Sequence, residues 1–172
     1  DCCTGSGCIG ISLALEFLER ARRPVRLVLI DVDEDALRWA RINAEALIAS
    51  EVAPIAYSLH HDAFVPRVDG APPTIVVANP PYLNDEDARD AVAAGWGEPP
   101  DALAAGPDGL AVIDPLIREA FSYIPSEGYL VMEHGADQGE AVRRRCLAAG
   151  FVDVRGGTDL AGRDRYVEAR KP

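Results

Sequence analysis

Short apolar runs alternate along this chain with longer stretches whose apolar residues recur at helical spacing. Val25 to Ile30, Val52 to Leu59, Ile75 to Ala78 and Gly128 to Glu133 read as strands, the first and third as buried ones. Between them, Ile11, Leu15 and Leu18 place a helix from Ile11 to about Arg22. Ala36, Leu37, Ala40, Ala44 and Leu47 place another from Asp33, its expected N-cap, to about Ala49. Leu110 to Tyr123 and Gln138 to Gly150 follow as further helices, the latter closing on a C-terminal glycine. Phe151 to Val154 and Arg165 to Ala169 alternate as strands, with Gly156, Gly157 and Gly162 in a long loop between them. Alternating strands and helices imply one α/β domain with a mostly parallel doubly wound sheet, finished by an antiparallel hairpin.

Two turns break this pattern with unusual residue types. Thr4-Gly5-Ser6-Gly7-Cys8-Ile9-Gly10 leads into the first helix, and its glycines fit G-x-G-x-x-G. Glycine permits the tight turn and lets backbone N–H groups approach a ligand at a helix N-terminus. Asp31 ends the next strand, about 20 residues on, where a carboxylate can hold ribose hydroxyls. Asp62 follows a later strand, in the place for the adenine end of a nucleotide; a helix or turn cap is its other reading. His60 and His61 are adjacent, so an extended chain points them apart, and no metal site is expected.

The second turn is Asn79-Pro80-Pro81-Tyr82, at the end of the Ile75 to Ala78 strand. Pro80 and Pro81 hold the preceding residues extended and bring no N–H of their own. Carbonyl oxygens, the Asn79 amide and the Tyr82 ring then form a stiff acceptor platform beside an aromatic face, suited to a planar NH2 group. From Leu83 to Gly109 the pattern is irregular, and a lid that buries Trp96 and Leu103 is expected.

Charge narrows the choice of partner. With 17 Lys and Arg against 28 Asp and Glu the net charge is −11, which disfavours a sequence-independent grip on nucleic acid. Arg143, Arg144 and Arg145 read as the solvated face of a helix. Cys2, Cys3, Cys8 and Cys146 have no metal or disulfide spacing, so reduced thiols and a cytoplasmic setting are expected. No apolar run has the length of a membrane span. The chain opens at Asp1, already at a strand-to-loop junction, so a segment of a longer protein is expected, with a preceding strand missing. A monomer is the default.

A nicotinamide-dependent hydride transferase and an S-adenosylmethionine-dependent methyltransferase both suit the glycine loop and Asp31. The strand-end tetrad and the terminal hairpin favour the methyltransferase. At this point the chain resembles a known family. D-C-C-T-G-S-G-C-I-G at Asp1 to Gly10, N-P-P-Y at Asn79 to Tyr82 and the segment Glu98 to Leu110 are similar to stretches of the protein-(glutamine-N5) methyltransferases that act on peptide-chain release factors. So are Glu133-His134-Gly135 with Gln138-Gly139-Glu140, and D-L-A-G-R-D-R at Asp159 to Arg165.

The resemblance implies a Rossmann-like class I S-adenosylmethionine-dependent methyltransferase fold and a role in translation termination. It places Cys3, Thr4, Gly5, Ser6 and Gly7 along the cofactor's methionine part, Asp31 on the ribose, and Asp62 and Ala63 beside the adenine. Asn79 stands between cofactor and substrate, and Asn79, Pro80, Pro81 and Tyr82 bind the glutamine amide, with Asn79, Pro80 and Tyr82 as the catalytic set. Ala63 occupies a position where some members carry an aromatic, and nothing here represents the family's N-terminal helical domain. Three alternatives stay open: a glutamine of a ribosomal protein, an exocyclic amino group of nucleic acid, and a non-catalytic nucleotide-binding module.

Overall fold

The computed structural model describes residues 1–48, 55–64 and 70–172. They fall into two compact units, Asp1–Pro66 and Arg67–Pro172. The first unit carries α1 (Cys8–Ala21), β1 (Val25–Asp31), α2 (Glu34–Ile48) and β2 (Ile55–His61). β1 and β2 pair in parallel from Val25↔Ile55 to Asp31↔His61. Ile11 and Ala14 from α1, Ala40, Ala44 and Ile48 from α2, and Leu27, Leu29 and Ile55 from the strands form its core. Each fully buried aliphatic of this size contributes about 1.5–3 kcal/mol.

The helices follow their expected positions with informative shifts. α1 starts three residues ahead of Ile11, because Gly7 adopts φ 81° and caps the helix through Ile11 N–H to Gly7 O. Asp33 caps α2, its Oδ1 accepting from Asp35 N at 2.8 Å. Leu47, expected in the buried stripe, is instead 50% exposed, and Ile48 takes the inward place. Residues 49 and 52–54 of the expected helix and strand lie outside the described residues. β2 runs on through His60 and His61, which were expected after the strand.

The second unit carries β3 (Ile75–Ala78), α3 (Asp85–Ala93), α4 (Ile113–Tyr123), β4 (Tyr129–Glu133), α5 (Gly139–Ala149), β5 (Val152–Thr158) and β6 (Asp164–Arg170). Its four strands take the order β3-β4-β6-β5. β3 and β4 are parallel, and β6 inserts antiparallel between β4 and β5. Ile113, Leu116, Ile117 and Ala120 of α4, Val142 and Cys146 of α5, and Leu130, Met132, Val167 and Ala169 of the strands are buried. Val76 and Ala78 of β3 are buried too, while Ile75, expected inside, is exposed at the strand's entry.

Two expectations in this unit are corrected. The stretch after the tetrad opens with a helix before it turns irregular: Asn84 accepts from Glu86 N and Asp87 N and caps α3. Leu83, one residue before the cap, packs with Ala88, Ala91 and Leu103, the staple arrangement that fixes a helix entry. Leu103 is buried as expected, but Trp96 is 56% exposed. The hairpin loop is also short. β5 continues through Gly156 and Gly157, where a side chain would collide with Arg143 and with the Tyr166 ring respectively.

Candidate functional site

In the first unit, the glycine loop is bonded by its own backbone and by nearby carboxylates. Gly5 and Gly7 both have positive φ. Thr4 N donates to Ile30 O at 2.9 Å, Gly7 N to Thr4 O at 2.8 Å, and Gly5 N to Asp31 Oδ2 at 2.8 Å. Asp31 Oδ1 accepts from Asp33 N at 3.0 Å. Among the described residues each carboxylate oxygen thus accepts a single backbone N–H, which leaves a lone pair at the strand end, the arrangement a vicinal diol needs.

Asp1, which the sequence placed at the strand-to-loop junction without a role, braces the loop: its Oδ2 accepts from Thr4 Oγ1 at 2.6 Å and from Gly10 N at 2.9 Å. Glycine is required at position 10, where a Cβ would lie 2.8 Å from the Asp1 Cβ and 2.9 Å from Leu29 Cδ2. Burial first, then the neighbouring Cys2 and Asp31, pushes the Cys3 thiol up to about 12, so it stays protonated at neutral pH. Asp62 Oδ1 accepts from Ala63 N at 2.7 Å and, more weakly, from Phe64 N at 3.4 Å. That is the capping reading realised on one oxygen, with Oδ2 making no hydrogen bond among the described residues. His60 and His61 turn to different partners, Ser58 Oγ and Val32 O.

In the second unit, the N-P-P-Y corner stands between two anchors. Upstream, β3 pairs with β4 as far as Ala78↔Met132. Downstream, Gln138 Nε2 donates to Tyr82 O at 2.9 Å, and Leu83 exchanges bonds with Leu103 O and Ala105 N. The Tyr82 hydroxyl donates to Glu133 Oε1 at 3.0 Å and faces Arg165 Nη1 at 3.3 Å. The Arg165 guanidinium also lies over the Tyr82 ring, 5.8 Å from its centroid. Arg165 is held in turn by Asp159, at 3.6 Å, and by His134 O, at 3.4 Å. Burial, followed by the Glu133 carboxylate and its hydrogen bond, raises the Tyr82 phenol above its ordinary value.

The contrast along the corner is chemical. The carbonyls of Tyr82 and Leu83 are taken, whereas those of Asn79, Pro80 and Pro81 accept no hydrogen bond from any described residue. Asn79 is exposed, Pro80 buried, and Pro81 and Tyr82 half-buried. Open acceptors beside a fixed ring are what a planar amide NH2 requires. The E-H-G-x-x-Q-G-E and D-L-A-G-R-D-R stretches thus supply braces for Tyr82. Arg143 and Arg145, expected in solvent, are ion-paired to Asp164 and Asp114; Arg144, 71% exposed, pairs within its helix to Glu140.

The fold is that of the class I methyltransferases. A methyltransferase from Pyrococcus furiosus superposes with TM-score 0.61 at 15% identity, over 92% of this chain and 68% of the other. A precorrin-6y C5,15-methyltransferase from Geobacter metallireducens does so with TM-score 0.61 at 14% identity, over 99% of this chain and 79% of the other.

Sequence similarity is narrower. The chain is 33% identical over 171 residues to the release factor glutamine methyltransferase of Coxiella burnetii, covering 99% of this chain and 57% of that protein. It is 36% identical over 174 residues to that of Burkholderia pseudomallei, covering 100% and 59%, and 32% identical over 170 residues to that of Escherichia coli, covering 99% and 58%. No family model matches the chain. The resemblance read from the motifs thus extends along the whole chain, which spans somewhat more than half the length of these curated relatives.

Proposed function

We propose that residues 1–172 act as a methyltransferase catalytic domain that moves a methyl group from S-adenosylmethionine to the side-chain amide nitrogen of a glutamine in a peptide-chain release factor. The observation that carries this reading is the row of open acceptors at Asn79, Pro80 and Pro81 beside the braced Tyr82 ring. The residues of the first unit suit the cofactor. Asp31 offers a lone pair on each oxygen to the ribose hydroxyls, Asp62 Oδ2, which bonds to no described residue, faces the adenine amine with Ala63 beside it, and Cys3 to Gly7 presents a glycine turn to the methionine part. The Cys3 thiol stays protonated, so it does not compete as a nucleophile. When bound, the cofactor supplies an electrophilic methyl on a sulfonium centre.

The acceptor nitrogen is the difficult partner, because its lone pair is delocalised into the amide carbonyl. Asn79 Oδ1 and the Pro80 carbonyl accept its two N–H bonds and aim the lone pair. These bonds strengthen as positive charge develops on nitrogen, so they favour the transition state over the ground state. Tyr82 packs its ring on the amide plane, and its engaged hydroxyl serves to hold that ring. Orientation of this kind contributes about 7–11 kcal/mol in the best intramolecular models. Water takes the surplus proton from the methylated nitrogen. The test is a mass spectrum of a release factor incubated with this protein and the methyl donor. Added methyl on one glutamine supports the reading; methyl on DNA or a ribosomal protein, with none on the release factor, overturns it.

A further inference from the structure

Gln138 stands at the N-cap position of α5, yet its side chain does not cap that helix. It is buried, and its carboxamide is turned to three other segments. Oε1 accepts from Gly135 N at 2.8 Å. Nε2 donates to Tyr82 O at 2.9 Å and also faces Asp108 O at 3.2 Å and Gly109 O at 3.3 Å. Two hydrogens shared among three carbonyls leave no donor unused.

The space around this amide is full. Gly109 has φ +69°, and a Cβ there would stand 2.2 Å from Tyr82 O and 2.5 Å from Gln138 Nε2. The same corner is tied on its other side by β3–β4 pairing at Ala78. Between these anchors, Pro80 and Pro81 have fixed φ, so few torsions remain free.

We propose that Gln138 is a positioning residue for methyl transfer: its amide locks the Tyr82 carbonyl and so sets where the Asn79 and Pro80 acceptors point. The inference rests on the reading that this corner holds the acceptor amide. A neutral amide is required, because one group must accept from Gly135 N–H and donate to carbonyls at once. Gln138→Glu keeps the shape and the acceptor but sets a carboxylate against three carbonyl oxygens. Gln138→Met keeps the volume and removes every polar atom.

The experiment measures three quantities on wild type and both variants. They are steady-state methylation of a release factor, S-adenosylmethionine affinity by calorimetry, and amide hydrogen exchange at Leu83 and Gly109. For Gln138→Glu, kcat falls about 100-fold, while the KM for the release factor and the cofactor Kd stay within about threefold. Exchange at Leu83 and Gly109 speeds by about tenfold or more in both variants. Faster exchange with unchanged kcat overturns the positioning role, as does a loss carried by KM or by cofactor affinity. Unchanged exchange overturns the lock itself. If both variants lose their near-ultraviolet circular dichroism, Gln138 is a folding requirement and the inference fails. A wild-type protein that does not methylate the release factor defeats the proposed function instead, and the exchange data then still judge the lock.

Discussion

The glycine loop of the first unit and the N-P-P-Y corner of the second, the two turns proposed to bind, are held in different ways. The loop is held through its own main-chain N–H groups as donors, Gly7 N to Thr4 O, Gly5 N to the Asp31 carboxylate and Gly10 N to that of Asp1, with positive φ at Gly5 and Gly7. The corner is held by side chains 51 to 83 residues away in sequence, namely Glu133, Gln138 and Arg165. A loop that presents backbone N–H groups needs glycine and carboxylates such as Asp1 and Asp31 to accept from it. A corner that must leave its own carbonyls open has no internal bonds to hold it, so distant side chains do so.

That contrast is broken or sharpened by substitutions in each turn. The largest effect is expected for Asn79→Ala, which removes the acceptor proposed to act in the transition state. Methyl transfer should fall about 10²–10³-fold, with cofactor affinity nearly unchanged by calorimetry. Near-normal turnover would refute the role given to Asn79. Asp31→Ala should act in the reverse way. S-adenosylmethionine binding should weaken about 10–100-fold, the worth of hydrogen bonds to a charged group, while kcat at saturating donor is retained. A fall confined to kcat would contradict the assignment of Asp31 to the donor.

Tyr82→Phe comes next, since the hydroxyl braces the ring that is proposed to meet the substrate. Stability should drop by about 1–2 kcal/mol in urea unfolding, with turnover changed only modestly. The pH dependence follows from the raised phenol. Below about pH 10 it is neutral in folded and unfolded chains alike, and it contributes no slope. Above that the unfolded chain ionises first, so stability falls as pH rises toward the higher folded value. A wild-type minus Tyr82→Phe difference in urea midpoint should therefore shrink as pH rises above about 10. A constant difference would rule out the buried, Glu133-bonded phenol. The smallest effect is expected for Leu160→Ser at the hairpin tip, which is fully exposed and should shift stability by no more than about 0.5 kcal/mol.

Much of this arrangement is legible in the chain because its signals are local. Asp33 before α2 and Gly150 after α5 mark helix ends through bonds spanning a few residues. Asn84 followed by Asp85, Glu86 and Asp87 carries the same signal for α3, and the irregular residues around it masked the helix. Gly156 and Gly157 misled for a different reason. Glycine is a weak strand former, but the Tyr166 ring and the Arg143–Asp164 pair occupy the space that side chains would fill.

By itself the sequence determined the alternation of strands and helices, the glycine turn and the proline-stiffened corner. Those depend on backbone stereochemistry and on periodicity, which act over a few residues. Only the tertiary structure decided that Tyr82 is held by Glu133 and Arg165, that Gln138 takes the Tyr82 carbonyl, and that the Asn79 to Pro81 carbonyls accept from no described residue. Hydrogen bonds between groups 51 to 83 residues apart form only once β4, α5 and β6 have packed, so no local pattern announces them.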